Sequence, residues 1–494
     1  MPQEPQPEQR REEFEVLVTA EEAWPAFERA VLGAQRELLA SFRLFDFATP
    51  LLSPEARETG DTWADLIADA LRRGVRVQLV VSDFDPVMAA PLHAAAQKTL
   101  TQAQEIMAGL APEQAALLSV AAALHPTRAG LLPRLAFSPF VLRKLRKLPR
   151  RLRPAAASRP GLPQLYPVSH HQKVAVIDRE VLYIGGLDLN RRRYDTKEHD
   201  LPAHETWADV QLILRGPEAE EAARHLERFR DEIALRKQPP EGQLIRRTMS
   251  APRRFGFWAL SPRTVLKEIE EDHLAAFERA QNLIYLESQF LRSSPIARGL
   301  AAAARRNPAL SLILILPALP DDVAFEGNRD LDARYGMALQ AEALDEVTEA
   351  FGTRACIASP VQRRMAARDA PATLSGSPII YVHSKVLVTD RDFAMVGSAN
   401  LNGRSMRWDT EAALRITQRG RIETLWNNLA RHWWQEDLPA EALDPAHAAA
   451  WWLKEVRRNQ VRRPEARRGL LVPHDPGKMS ELQQRLPGAT EDIV

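Results

Sequence analysis

The stretch SHHQKVAVIDREVLYIGGLDLN occupies residues 169–190 of the 494-residue chain. Within a run of Val, Ile and Leu that reads as buried strand, it carries His171 and Lys173 two residues apart, then Asp178 and the pair Gly185-Gly186. Lysine is rarely buried without a partner. Such a strand therefore sits at a wet edge or lines a site. A second stretch, VHSKVLVTDRDFAMVGSANLN at residues 382–402, bears on the choice. His383, Lys385, Asp390, Gly397 and Asn402 follow His171, Lys173, Asp178, Gly185 and Asn190 at one constant offset of 212 residues (383 − 171). One HxK is a weak signal. Two copies with matching glycines and asparagines are a duplicated unit.

The duplication extends upstream. DTWADLIADALRRGVRVQLVVSDFDP reads as an amphipathic helix, a stop at Gly74 and a strand. PIARGLAAAARRNPALSLILILPALP reads as helix, Asn-Pro break and strand. Each half thus runs strand, helix, strand, a variable insert, then the motif hairpin. Alternating helices and buried strands predict two similar α/β sandwich domains with central mixed β-sheets, related by a pseudo-twofold, with a site at their interface. We expect a polar tail at 1–14, a first domain at 15–250 with a basic insert at about 114–165, a second domain at 255–440, with RKQPPEGQ (236–243) and the segment after it as linker, and a helical, basic extension at 441–494.

Bulk composition agrees with a globular chain. Hydrophobic residues make up 45% and charged residues 27%, with a net charge of +1. The start, MPQEPQPEQRREEFEVL, lacks the apolar core and cleavage site of a signal peptide. No run approaches the ~18 apolar residues of a membrane span. The lone Cys356 excludes an intrachain disulfide and reads as a core thiol.

Side chains alternate along a strand, so His171 and Lys173 share a face, as do His383 and Lys385. Asp178 and Asp390 complete the two motif sets but have opposite parity, and they read as turn residues. Two His-Lys pairs meeting at an interface suit a phosphodiester. One imidazole attacks phosphorus and the other protonates the leaving alkoxide. The lysines hold the non-bridging oxygens, and Asn190, Ser398 and Asn400 add hydrogen bonds. An attacking imidazole needs its other nitrogen held by a carboxylate; Asp209 and Glu411 are the candidates. Asp188, Glu287 and Gln289 are further candidates to line the site. No metal-ligand cluster is legible and none is required, so no metal and no cofactor are expected. His170 reads as a neighbour, and Trp433-Trp434 and Trp451-Trp452 as packing residues.

The doubled HxKxxxxD with GSAN resembles the phospholipase D superfamily, which includes phospholipases D, cardiolipin synthases, phosphatidylserine synthases and some nucleases. HHQK, then IGGLDLNRRRYD, then YLESQFL (residues 285–291) and GSANLNGRSMRWDTE are similar to the eukaryotic-type phospholipases D. The resemblance covers most of residues 35–435. It implies a two-step reaction in which His171 forms a phosphohistidine and His383 acts as acid, then base. It also implies phosphate binding by Lys173, Lys385 and Asn400. RRRYD departs from the family's Gly-Arg-Tyr/Trp-Asp pattern, and no calcium-binding module is recognised.

The insert is the remaining informative region. No acidic residue occurs from Gln114 to Ile177, and Arg134, Arg143, Lys144, Arg146, Lys147, Arg150, Arg151 and Arg153 alternate with Leu and Phe. Its alternatives are a solvated basic loop and an interfacial segment on anionic lipid. The expected function is hydrolysis of the distal phosphodiester of a glycerophospholipid at a membrane surface, with water or an alcohol as acceptor. The alternatives are a cardiolipin synthase-type transferase, a nuclease and a non-catalytic binding protein. No nucleic-acid partner is expected. We expect a monomer, cytoplasmic and peripherally membrane-associated, with export as an effector as the alternative.

Overall fold

The computed structural model describes residues 14–148, 164–367, 370–480, 484 and 491–493. Most of the expected tail, and Arg150, Arg151 and Arg153 of the insert, lie outside the described residues. The first sheet contains β1 (Phe14–Val18), β2 (Glu37–Phe42), β3 (Arg76–Ser82), β4 (Leu118–Ala123), β5 (Val174–Ile177), β6 (Val181–Gly185) and β7 (Val210–Arg215). Its order is β1-β7-β6-β5-β2-β3-β4. The second half contributes β8 (Ile245–Ala251), β9 (Arg263–Lys267), β10 (Leu283–Glu287), β11 (Ser311–Ile315) and β12 (Ala355–Pro360). After a short hairpin of β13 (Thr373–Leu374) and β14 (Ser377–Pro378) come β15 (Val386–Thr389), β16 (Phe393–Gly397), β17 (Glu411–Ile416) and β18 (Leu471–Pro473). The nine-stranded sheet runs β18-β12-β11-β10-β15-β16-β17-β8-β9. From β12 to β8 this is the order of the first sheet, strand for strand, and β18 and β9 extend its edges. Both sheets mix parallel pairs (β2 with β3, β10 with β11) and antiparallel ones (β5 with β6, β15 with β16).

Local signals set these elements. Before the Trp63–Arg72 helix, Thr62 and Asp65 form a capping box. Gly74, at φ +88°, turns the chain into β3. Along β5, Val174 and Val176 face an apolar core shared by both sheets, while Ala175 and Ile177 face the outer core of the first half. The shared core joins Leu182 and Ile184 to Val386, Val388, Ala394 and Val396, and takes in the Pro217–Ala234 and Arg419–Trp434 helices. Trp433, Trp434, Trp451 and Trp452 pack within it, and Cys356 is buried in β12 with its thiol pushed up to about 12. No described helix is long and apolar enough to cross a membrane.

Three expected boundaries move. Residues 245–251 belong to the second sheet, because β8 pairs with β17 as β1 pairs with β7. Arg246 and Arg247 make this segment look like linker. In the fold they are buried and paired, Arg246 with Asp272 (3.1 Å) and Arg247 with Glu268 (3.0 Å). The start of the expected insert, 118–123, is β4 and completes the first sheet. Within the expected extension, β18 pairs with β12, so this segment is part of the second sheet.

Asp178 and Asp390 sit at the far end of β5 and β15 from the motif lysines, at φ +53° and +50°. The Asp178 carboxylate accepts the backbone N–H of Gln35 (2.8 Å), Arg36 (2.7 Å) and Glu37 (2.8 Å), anchoring the start of β2. Asp390 does the same for Gln281, Asn282 and Leu283 before β10 (2.7–2.9 Å). Burial alone would raise the Asp178 carboxyl, but these donors hold it below its usual value. Asp178→Ala strands three donors, and we expect a loss of roughly 2–3 kcal/mol of stability in urea unfolding.

Candidate active site

His171 and Lys173 do not lie within a strand. They occupy the extended segment just before β5, and His383 and Lys385 the matching segment before β15. Each segment is held by the opposite half. His171 N and Gln172 N donate to the Thr410 carbonyl (2.8 and 3.0 Å), and His383 N donates to the Ala208 carbonyl (2.7 Å). The carboxylates cross in the same way. His171 Nδ1 lies 3.0 Å from Glu411 of the second half. His383 Nδ1 lies 2.6 Å from Asp209 Oδ2 of the first. Each imidazole therefore keeps Nε2 free of its carboxylate. Lys173 and Lys385 are buried, and each Nζ donates to the carbonyl of the histidine two residues before it.

The residue after each repeated glycine, Gly185 and Gly397, explains the unequal GG and GS pairs. A Cβ on Gly186 would lie 2.2 Å from Asp209 Oδ1, so only glycine admits that carboxylate. At the equivalent position, the Ser398 hydroxyl donates to Glu411 Oε2.

A family model described as cardiolipin synthase, PLD-like domain, matches residues 274–433, which contain the second motif. Phospholipase D1 of Schizosaccharomyces pombe is 24% identical over 329 residues, covering 48% of this chain and 24% of the relative. Phospholipase D alpha 2 of Oryza sativa subsp. japonica is 24% identical over 379 residues, covering 52% of this chain and 46% of the relative. The matches thus span less than half the length of these relatives. The chain is thus similar to members of the phospholipase D superfamily. The fold is shared with the phosphatidylserine synthase of Haemophilus influenzae Rd KW20, at a TM-score of 0.51 and 12% identity, over 85% of this chain and 86% of the other.

Several expected residues of the candidate site are engaged elsewhere. Ser398 is committed to Glu411. The Glu287 carboxylate accepts from Tyr285, Ser384 and Trp433 Nε1 (2.8 Å for the last), an internal network in which burial raises its pKa. Gln289 donates to the Tyr381 hydroxyl (2.6 Å). Asp188 accepts Leu44 N (2.9 Å) and lies 3.9 Å from Lys173 Nζ. Asn190 Oδ1 and Asn400 Oδ1 are buried with no protein partner. His170 meets the Thr410 hydroxyl (2.8 Å), and its ring packs beside His125 and Phe229. Among the described residues no group of three or more His, Cys, Asp or Glu could hold a metal ion.

Sequence reasoning missed Trp207, Arg193, Arg43 and Arg404. The Trp207 ring packs 4.5 Å from the His383 ring, and Arg193 lies 3.7 Å over the same indole. The signal for Trp207 was present: it lies two residues before Asp209 in HETWADV. Arg193 comes from the departing RRRYD, whose Asp195 accepts Trp207 N and His199 Nδ1 (both 2.5 Å).

Burial, then Lys173, Arg43, Lys385 and Arg404, holds His171 well below the usual histidine range. Burial, then Lys385, Arg193 and Lys173, does the same to His383. Burial also lowers Lys385 and raises Asp209. An entering phosphate anion favours the protonated lysine. Phosphate binding should therefore take up protons. Its Kd should rise as pH climbs through the depressed titration of Lys385, by up to about tenfold per pH unit. Calorimetry in buffers of different ionisation enthalpy, together with a Lys385→Met comparison, checks this.

Proposed function

We propose that the chain is a phosphodiesterase of the phospholipase D type. It would hydrolyse the distal phosphodiester of glycerophospholipids, at a membrane surface, to phosphatidic acid and the head-group alcohol. The observation that carries this reading is the crossed pair of histidine–carboxylate contacts with a lysine beside each. In the first step His171 Nε2 bonds to phosphorus, the bond to the head-group oxygen breaks, and His383 Nε2–H protonates that oxygen. In the second step His383 takes a proton from water, the water oxygen bonds to phosphorus and the N–P bond breaks. Glu411 holds neutral His171 as the Nδ1–H tautomer, which leaves Nε2 to attack. Asp209 accepts Nδ1–H of His383 and stabilises the imidazolium whose Nε2 proton is given in the first step and regained from water in the second. Lys173 and Lys385 balance the charge on the non-bridging oxygens. Asp178 and Asp390 have no part in these steps; they anchor strands.

A second reading differs only in the acceptor. An alcohol in place of water gives phosphatidyl transfer, as in cardiolipin synthesis. The matched family model, described as cardiolipin synthase, PLD-like domain, favours it. One assay separates the readings: labelled phosphatidylcholine, phosphatidylglycerol and DNA, each with and without a primary alcohol. Head-group release with a phosphatidyl-alcohol product supports the first reading, and cardiolipin from phosphatidylglycerol supports the second. Cleaved DNA with intact lipid refutes both.

A further inference from the structure

One face of the molecule carries an apolar cluster that the proposed chemistry does not use. Phe255 is 88% exposed, Trp258 74% and Phe257 50%, all on the loop between β8 and β9. On the Leu131–Lys147 helix, Leu131, Leu132, Leu135, Phe137, Phe140 and Leu142 are exposed as well. Two segments far apart in sequence form one surface. Gly130 N donates to the Ala259 carbonyl (2.8 Å) and Leu132 N to the Phe257 carbonyl (3.3 Å). A Cβ on Gly130 would lie 2.0 Å from the Gly256 carbonyl oxygen, so the helix start fits against the loop only as glycine. Val141 anchors the helix inward against Val87, Ala129 and Leu165, with Leu145 and Leu260 packed on them, and the remaining apolar side chains point outward.

We propose that this helix and loop together dock the protein on an anionic lipid bilayer, with Phe255, Phe257 and Trp258 entering the interface. Charge selects this occupant. Neither residues 114–177 nor residues 251–267 contain an acidic side chain, and Arg143, Arg146, Lys147, Arg253 and Arg254 are exposed among the apolar groups. Exposed aromatics ringed by cations are the pattern of an interfacial segment, and an apolar cluster of this extent is unusual on a surface without a partner. Position agrees. Asp85 accepts the N–H groups of Val87 and Met88 beneath the helix and of Tyr166 (each 2.8 Å), and the chain from Tyr166 reaches His171 five residues later. Docking here would bring the cleft to the bilayer. The inference deepens the reading of a lipid substrate, but its test does not require turnover.

The test is flotation with vesicles of phosphatidylcholine alone or mixed with phosphatidylglycerol. Wild type should float with the mixed vesicles and be released by high salt. Phe255→Ser/Phe257→Ser/Trp258→Ser and Arg143→Gln/Lys147→Gln/Arg253→Gln/Arg254→Gln should each lose binding by on the order of tenfold or more. Both variants should keep wild-type melting and turnover of a soluble short-chain phosphodiester. A fluorophore on Phe257→Cys, with the sole native cysteine buried, should shift to the blue on mixed vesicles only. Unchanged flotation of both variants overturns the proposal. So does loss of self-association in sedimentation without loss of flotation, which would make the surface a contact between copies. Vesicle binding without any lipid turnover would leave the surface standing and refute the catalytic reading instead.

Discussion

His171→Ala is expected to abolish turnover, with kcat falling by about 10⁴-fold or more because the covalent route is removed. No other described side chain duplicates its place. His170 is turned to Thr410 and buried beside His125 and Phe229. His383→Ala should be comparably slow on a lipid ester, but it leaves the nucleophile intact. Acid-quenched mixtures of labelled substrate should therefore show a covalent phosphoryl adduct at His171 in the His383 variant and none in the His171 variant. Turnover near wild type for His171→Ala, or an adduct mapped to His383, would reverse the assigned roles.

The crossed carboxylates make a second strong prediction. Asp209 belongs to the first half but serves His383, the proposed acid. Asp209→Asn should slow release of a poor leaving group such as choline by about 10²–10⁴-fold. A p-nitrophenyl ester needs little protonation as it departs, so its initial burst of p-nitrophenol should be largely spared, while hydrolysis of the adduct, with His383 as base, should slow. Glu411 serves His171, and Glu411→Gln should slow both substrates alike. An uncrossed pairing predicts the reverse. The wild-type pH profile carries the same information. Burial, opposed by Lys173, pushes the Glu411 carboxyl up to about 8. The ionised form that accepts His171 Nδ1–H is therefore gained as pH rises, so kcat/KM on a soluble ester should climb towards pH 8. Glu411→Gln has no carboxyl to titrate and should flatten that limb.

Much of the candidate site was legible in the residues because duplication makes coincidence improbable. His171, Lys173, His383 and Lys385 were marked by repetition, and the parity of Asp178 and Asp390 placed them at turns. Failures came where local chemistry looks alike in two settings. IRRTMSA has the charge of a linker, and only the buried partners Asp272 and Glu268 make it a strand. Glu287 and Gln289 share the parity of a cleft-facing pair, yet Trp433 and Tyr381 take up their side chains. Trp207 and Arg193 carry no spacing rule, because a ring packed on an imidazole depends on where two segments meet.

Read alone, the residues establish a duplicated α/β unit, its two His-Lys pairs and the superfamily they resemble. Spacing and alternation are properties of a local backbone, and they survive without the rest of the molecule. Which carboxylate holds which histidine is different. Asp209 and Glu411 each follow their own motif in sequence, and proximity along the chain would assign each to its own half. In the folded molecule the segment before β5 hydrogen-bonds to Thr410 and the segment before β15 to Ala208. The two halves therefore exchange partners, and each imidazole reaches the carboxylate of the other. That exchange arises from the packing of one sheet against its duplicate, which no stretch of the chain specifies by itself.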